Sequence, residues 1–192
     1  MPTLVIASGN PHKVREIGSM LQPLELEVCA QPRDLDVEET GATYIENARL
    51  KASAAAVRTG HWALADDSGI EVDALGGAPG IFSARYAPTD PERVARLLAE
   101  LGDTPYRSGS FMSAMALADP TGAVRLEAEG VCRGVVLDAP QGQGAGYDPI
   151  FYVREAACTY AQMSEHQRLR LGSRGKAARQ MAPGLKALLD LS

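Results

Sequence analysis

The sequence predicts an α/β protein, an elongated mixed β-sheet with two α/β lobes flanking a central substrate cleft. In the first half, short apolar runs alternate with segments of helical periodicity. In the second half, two long alternating segments within residues 108–135 flank a turn and predict a β-hairpin. A length of 192 residues suits one large domain, so we predict a single domain over residues 1–192 with two lobes.

Composition and charge restrict the class of protein and its partners. Hydrophobic residues make up 45% and charged residues 22% of the chain, and no apolar run approaches the ~20 residues of a membrane helix. The formal net charge of −5 argues against a nucleic-acid partner, although locally gathered cations can still bind a small anion. Three widely spaced cysteines and a start without signal-peptide features predict a reducing, cytoplasmic location.

The first predicted strand, residues 3–7, leads through a small polar turn into a helix. The turn reads Ser8-Gly9-Asn10-Pro11-His12-Lys13, and apolar residues at helical spacing follow it. Such a turn leaves backbone N–H groups free at a helix N-terminus, where a phosphate is stabilised. An ordinary helix capped by Asn10 explains the same residues, and the P-loop pattern is absent.

A second helix is predicted from Thr40 or Thr43 to about residue 58. The acidic pair Glu38-Glu39 lies just before it. Two explanations stay open for this pair, namely metal binding and the favourable interaction of acids with a helix N-terminus. Within the helix, Asn47 and Lys51 are four residues apart and share a face, for which a solvated pair is the simpler interpretation.

The chain is organised around the segment Ala65-Asp66-Asp67-Ser68-Gly69. An apolar run over residues 62–65 predicts a strand that ends at two adjacent carboxylates and a small-residue turn. In open α/β sheets, ligands bind outside the carboxyl ends of the strands, so these acids are candidate site residues. A solvated turn is the alternative, since Asp, Ser and Gly are all common turn residues.

Other segments are predicted to be mainly structural. Residues 24–29 and 70–75 alternate apolar and acidic side chains and predict half-exposed strands. Residues 76–80 form a loop rich in glycine and proline. Asp90 is expected to cap a helix that ends at Gly102.

Two later segments are candidates for ligand contact. Residues 142–146 contain three glycines and lead into Tyr147-Asp148, which indicates either a flexible connection or a backbone close to a ligand. Basic residues, Arg168 and Arg174 among them, precede the last helix, where solvated surface is the usual meaning of such a run.

Together these segments resemble the inosine triphosphate pyrophosphatase family, hydrolases of non-standard purine nucleoside triphosphates. The matching segments are Ser8-Gly9-Asn10 with Lys13, Glu38-Glu39-Thr40-Gly41 with Glu46-Asn47-Ala48 and Lys51, Ala65 to Gly80 with Ser83-Ala84-Arg85-Tyr86, Gly146 to Phe151, and Arg174-Gly175-Lys176-Ala177. The resemblance spans nearly the whole chain. Its specificity lies in the joint order and spacing of the motifs, since each motif alone is weak.

The resemblance implies hydrolysis of ITP, dITP or XTP to the monophosphate and pyrophosphate by a homodimer with Mg²⁺ as cofactor. It implies that Asp67 is the general base and that Glu39 and Asp67 bind the metal. The implied substrate-binding residues are Ser8, Gly9, Asn10, Pro11, His12, Lys13, Lys51, Ser68, Ala145, Gly146, Tyr147, Asp148, Arg168, Ser173 and Arg174. Acids beside a polyphosphate repel it unless a divalent cation intervenes, which agrees with this assignment.

Three residues depart from the family pattern. Ala145 stands where the family usually has an aromatic ring that stacks on the purine, Ser173 stands in place of a histidine, and Arg168 in place of a lysine. Loss of a stacking ring costs about 1–3 kcal/mol, so lower affinity or an altered base preference is expected. Two alternatives remain, a Maf-like pyrophosphatase of pyrimidine or modified nucleotides and a nucleotide-binding module without turnover.

Overall fold

The computed structural model describes residues 1–190 and contains one mixed sheet of seven strands. The strands are β1 (Thr3–Ile6), β2 (Glu27–Ala30), β3 (Trp62–Val72), β4 (Ser108–Ala118), β5 (Val124–Val136), β6 (Phe151–Val153) and β7 (Cys158–Thr159). Their order across the sheet is β2-β1-β3-β4-β5-β6-β7. β1 pairs in parallel with β2 and β3, whereas β6 pairs antiparallel with β5 and β7. The predicted mixed α/β sheet is confirmed.

Five α-helices accompany the sheet in the described part of the chain. They are α1 (Pro11–Leu21), α2 (Tyr44–Thr59), α3 (Asp90–Leu101), α4 (Glu165–Leu171) and α5 (Ser173–Leu188). Thr43 caps α2 by accepting from the backbone N–H of Glu46, and Gly60 ends it in the left-handed region at φ 70°. Among residues 1–190, no helix is long and apolar enough to cross a membrane.

Three local predictions were wrong. β3 continues through the Asp66–Gly69 segment as one strand, so the predicted turn does not form and the acids lie in mid-strand. β2 begins only at Glu27, because Leu24 ends a short 3₁₀ helix and Glu25 takes a left-handed conformation. The cap of α3 is Thr89 in place of Asp90, since Thr89 and Glu92 form a reciprocal capping box.

The chain divides into two compact units, each built from separate segments. The first unit comprises Met1–Asp67, Ser113–Glu129 and the segment from Arg174 onwards. The second unit comprises Ser68–Met112 and Gly130–Ser173. The assignment of residues 1–192 to one domain stays a prediction, and its last two residues lie outside the described part of the chain.

The first unit has a hydrophobic core on each face of its strands. On one face, Leu64 of β3 packs in a cluster with Ile17 of α1 and Met181 of α5. On the other face, Ala65 packs in a cluster of small residues with Ala52 of α2. Small side chains on this second face allow α2 to approach the sheet closely.

The second unit has its own hydrophobic core. It also contains the parts of β4 and β5 that lie farthest from the hairpin turn. Phe111, Phe151 and Tyr160 are in ring contact there, with centroids 4.2 Å and 4.9 Å from Phe111. Leu97 of α3 and Ile150 are fully buried in the same cluster. The core therefore anchors the start of β6, immediately after the glycine-rich segment.

Candidate functional site

Asp66 and Asp67 are buried neighbours in β3, with 2% and 7% of their surface exposed. Successive side chains of a strand point to opposite faces of the sheet. Leu64, which shares a face with Asp66, packs with α1 and α5, and Ala65, which shares a face with Asp67, packs with α2. The side chains of Asp66 and Asp67 therefore lie on opposite faces of β3, each in its own polar cluster.

Asp66 binds two cations. Nζ of Lys13 lies 2.9 Å from Oδ2 of Asp66, and Nε and Nη2 of Arg174 each donate to the same oxygen at 3.2 Å. Arg174 also donates from Nη1 to Oε2 of Glu16 at 2.5 Å. Burial alone would raise the pKa of Asp66, but the charges of Arg174 and Lys13 outweigh burial and hold that pKa well below its usual value. Asp66 is thus ionised at neutral pH and fixes both cations.

Asp67 receives two donors from α2. Nζ of Lys51 lies 2.8 Å from Oδ1 of Asp67 and 2.8 Å from Oε1 of Glu39. Nδ2 of Asn47 donates to Oδ2 of Asp67 at 3.4 Å. Burial raises the pKa of Asp67 even though the charge of Lys51 opposes the rise, and the neighbouring Glu39 raises it further. A buried carboxylate with a raised pKa binds a proton more strongly than an ordinary aspartate, which suits a general base.

The predicted metal ligands Glu39 and Asp67 converge on the ammonium group of Lys51. Within residues 1–190, no group of three or more His, Cys, Asp and Glu side chains is arranged to hold a metal ion. Mg²⁺ nevertheless fits this pair, because it commonly binds through one or two carboxylates together with phosphate oxygens and water. Oδ1 of Asp66 is a further buried carboxylate oxygen, without a hydrogen-bond partner among the described residues.

The turn before α1 is closed by the Asn10 side chain. Its Oδ1 accepts from the backbone N–H of His12 at 2.9 Å and of Lys13 at 3.4 Å, and the N–H of Asn10 donates to Oγ of Ser8 at 3.1 Å. The capped-helix interpretation is confirmed. The expectation of free N–H groups was wrong for these residues, because Asn10 satisfies two of them and Pro11 has none.

The glycine-rich segment is anchored within the second unit. The N–H of Gly146 donates to Oδ2 of Asp90 at 2.7 Å. The Tyr147 hydroxyl is buried and donates to the backbone carbonyl of Ser83 at 2.8 Å. Burial raises the pKa of Tyr147, so its hydroxyl stays protonated and remains a donor. These two hydrogen bonds therefore anchor the end of the segment, at Gly146 and Tyr147.

Arg168, on α4, contacts Asp148, two residues after the glycine-rich segment. Its Nη2 lies 3.4 Å from Oδ2 of Asp148 and donates to the backbone carbonyl of Tyr160 at 2.8 Å. Ala145 is exposed, whereas Ser173, the first residue of α5, is buried. Ala145 thus leaves room for a larger side chain, and Ser173 does not.

The predicted site residues fall into two groups. The first unit joins Lys13, Glu39, Lys51, Asp67 and Arg174 in one network through Asp66, since Nζ of Lys51 also donates to the Asp66 carbonyl. The remaining predicted residues of the first unit lie on the turn, where Gly9, Asn10, Pro11 and His12 are exposed and Ser8 is half-buried. The second unit holds Ser68, Ala145, Gly146, Tyr147, Asp148, Arg168 and Ser173.

Sequence reasoning missed three residues of these clusters. Glu16 lies one turn after Lys13 in α1, and nothing in the sequence connects it with Arg174, which is 158 positions away. Asn47 belongs to a segment that carries the family resemblance and shares a helix face with Lys51, but it was given no role in the site, although it is fully buried. Asp90 was expected to cap a helix, and nothing in the sequence connects it with Gly146.

The chain is thus a mixed α/β protein with carboxylates and cations clustered on both faces of one strand. The chain belongs to the Ham1 family, whose sequence model matches residues 4–184. Curated relatives of the chain are named dITP/XTP pyrophosphatases, and together with the family match they confirm the resemblance to the inosine triphosphate pyrophosphatase family.

Curated relatives match the chain over nearly its whole length. The dITP/XTP pyrophosphatase of Synechococcus sp. (strain CC9311) is 52% identical over 97% of this chain and 91% of that protein. The dITP/XTP pyrophosphatase of Parasynechococcus marenigrum (strain WH8102) is 53% identical over 99% of this chain and 98% of that protein.

Solved structures of the family share the fold. A HAM1 protein from Coxiella burnetii is 40% identical with a TM-score of 0.87, covering 97% of this chain and 100% of that one. The Ham1 protein of Staphylococcus aureus is 37% identical with a TM-score of 0.84, covering 97% of this chain and 99% of that one.

Proposed function

We propose that this protein hydrolyses the non-standard purine nucleoside triphosphates dITP, XTP and ITP to the monophosphate and pyrophosphate. The observation that carries the proposal is the cluster of Glu39, Lys51 and Asp67, in a chain about half identical to proteins named dITP/XTP pyrophosphatases. Removal of such nucleotides from the precursor pool is the consequence of this reaction. The enzyme is a hydrolase of acid anhydrides.

The protein's own groups supply binding, orientation and a proton acceptor. Lys13 and Arg174, held by Asp66, provide positive charge for the triphosphate, where charge stabilisation dominates phosphoryl transfer. Asp67 takes a proton from the attacking water as the oxygen forms its bond to phosphorus and the phosphoanhydride bond to pyrophosphate breaks. The raised pKa of Asp67 makes it a stronger base than an ordinary aspartate.

We propose Mg²⁺ as the cofactor, with Glu39 and Asp67 as its protein ligands. When bound, Mg²⁺ shields the negative charge that the phosphate oxygens and the two carboxylates would otherwise bring together. The support is the convergence of the two carboxylates on the single ammonium group of Lys51, which marks a point where a cation is stabilised. We assign Lys51 to the substrate-binding residues as well, with its ammonium group contacting a phosphate oxygen.

Recognition of the base is assigned to Ala145, Gly146, Tyr147 and Asp148, with Arg168 beside them. Two hydrogen bonds support this assignment, since Asp90 anchors Gly146 and the Ser83 carbonyl anchors Tyr147. Ser68, Ser173 and the turn from Ser8 to Lys13 complete the proposed set of substrate contacts.

A substrate panel tests the proposal. Purified protein is assayed with ITP, dITP, XTP, ATP, dGTP, dTTP and a modified pyrimidine triphosphate, and pyrophosphate and phosphate are measured separately. We expect pyrophosphate from ITP, dITP and XTP ahead of the standard nucleotides, with Mg²⁺ required and EDTA abolishing release. Preference for pyrimidine or modified nucleotides would favour the Maf-like alternative, and binding without any release would favour the non-catalytic module.

The assembly and the location are part of the proposal. We propose a homodimer in the cytoplasm. All three cysteines are free thiols, which supports a reducing compartment. Light scattering coupled to size-exclusion chromatography tests the oligomeric state, where a mass of one chain, 20.3 kDa, would contradict the dimer.

A further inference from the structure

Asn47 is a fully buried amide that joins two parts of the Asp67 cluster. Its Oδ1 accepts from the backbone N–H of Gly41 at 2.8 Å, and its Nδ2 donates to Oδ2 of Asp67 at 3.4 Å. Its relative exposure is 0%. The two partners fix the orientation of the amide, because the reversed orientation would place a donor against a donor and an oxygen against a carboxylate.

The contact to Gly41 requires a glycine. A Cβ atom at position 41 would lie 2.6 Å from Oδ1 of Asn47 and 2.7 Å from Cβ of Glu46. Gly41 is two residues after Glu39, whose carboxylate binds Lys51. Asn47 therefore ties the loop that carries Glu39 to the strand that carries Asp67.

Asn47 and Lys51 act on the same carboxylate from consecutive turns of α2. Lys51 binds Oδ1 of Asp67 and Asn47 donates to Oδ2, so each oxygen of the carboxylate has its own donor. This fixes the rotation of the carboxylate plane as well as its position. A carboxylate that must accept a proton in one direction loses rate when its orientation varies.

We infer that Asn47 is a positioning residue, which holds Asp67 and the Glu39 loop in the arrangement needed for turnover without contacting the nucleotide. The inference rests on the proposed function, because Asp67 and Glu39 are the groups that function assigns to chemistry. Polar residues that orient the ligands of a metal or a catalytic group typically change activity when substituted, although they touch no substrate.

The test is Asn47→Leu, which nearly keeps the side-chain volume and removes both hydrogen bonds. We expect kcat for dITP to fall about 10- to 100-fold. KM should stay within about threefold of wild type, because the lost contacts are not made to the substrate. Hydrogen exchange of the Gly41 amide, measured by NMR, should accelerate in the variant, which reports on the contact independently of activity.

Two further variants separate positioning from general stability. Ala56→Gly, at another buried position of α2, lowers the melting temperature but should keep wild-type kcat and Gly41 protection. Gly41→Ala displaces the Asn47 amide from the other side of the contact, so it decides the question if Asn47→Leu does not fold. If Asn47→Leu and Gly41→Ala both act through this contact, the fold-loss of kcat in the double variant is smaller than the product of the two single losses.

The outcomes separate the inference from the proposed function. If the wild-type protein turns over dITP and Asn47→Leu or Gly41→Ala keeps the wild-type kcat, the inference is overturned and the proposed function stands. A kcat loss equal to that of Ala56→Gly at the same loss of stability also overturns it. No pyrophosphate release by the wild-type protein overturns both.

Discussion

The Nζ atom of Lys51 lies 2.8 Å from Oδ1 of Asp67, and the same ammonium group binds Glu39. The proposed base is therefore held by a cation at one oxygen and by the Asn47 amide at the other. These contacts fix an acid whose pKa is nonetheless raised, because burial outweighs the charge of Lys51. The combination of fixed position and increased basicity is what proton transfer from water requires.

Asp67→Asn is predicted to abolish turnover and to keep nucleotide binding. An amide has the shape of the carboxylate but cannot accept the proton, so kcat for dITP should fall about 10²- to 10⁴-fold. Equilibrium binding of dITP, measured by calorimetry, should change much less. Full activity in this variant would remove Asp67 from the role of base, and Glu129→Gln, at an exposed acid of β5, is the control that should keep wild-type kcat.

Asp66→Asn is predicted to lower stability and weaken substrate binding. Lys13 and Arg174 would lose their buried counter-charge, which costs about 3 kcal/mol in the free energy of unfolding. KM for dITP should rise as both cations lose their positions. Urea unfolding and steady-state kinetics measure the two effects. Unchanged stability together with unchanged KM would show that Asp66 does not organise the two cations.

The same residue predicts how stability changes with pH. The folded pKa of Asp66 lies below the ordinary value of 3.8, so its ionised form stabilises the folded state. This contribution is fully present above the unfolded pKa and is lost as pH falls below it towards the folded pKa. Melting temperature should therefore decline on acidification in the wild type and decline less steeply in Asp66→Asn. Parallel curves for the two proteins would contradict the assignment.

Much of the fold could be predicted because local patterns agreed with it. The helical spacing after Asn10, the hairpin around Asp119 and the mixed sheet follow from periodicity and turn residues. The continuous strand through Asp66 and Asp67 could not be predicted, because acids, serine and glycine favour turns locally. Cations from helices distant in the sequence bind these acids in the strand, and Arg174 lies 108 positions from Asp66. Such tertiary contacts outweigh the local preference.

The site residues were predicted from the order of the motifs. The three residues that this prediction missed share one physical feature. Asn47, Glu16 and Asp90 act on other site residues through single hydrogen bonds across the fold. Their residue types are ordinary for helices and helix starts, so composition and spacing give them no distinct signal. Only the coordinates of their partners identify them.

Asp90→Ala is predicted to raise KM with little loss of kcat. Oδ2 of Asp90 accepts from the Gly146 N–H at 2.7 Å and Oδ1 binds Arg93 at 2.6 Å. Loss of a hydrogen bond to a charged group costs about 1.5–3 kcal/mol, equivalent to a rise in KM of about 10- to 150-fold. Glu92→Ala is the matched control, because it weakens the same helix start through the capping box. Equal KM values in the two variants would trace the effect to α3 stability and not to Gly146.

Ala145→Phe is predicted to increase affinity for purine triphosphates. The family resemblance places a stacking aromatic at this position, and Ala145 is exposed, so a ring fits without displacing core residues. Base–aromatic stacking is worth about 1–3 kcal/mol, which corresponds to a KM for dITP and XTP lower by about 5- to 150-fold. Steady-state kinetics on dITP, XTP and dTTP measure the change, and the gain should be larger for the purines. Gln143→Phe, at another exposed position of the same segment, should leave KM unchanged. An equal gain in both variants would indicate nonspecific hydrophobic binding and would place the base away from residue 145.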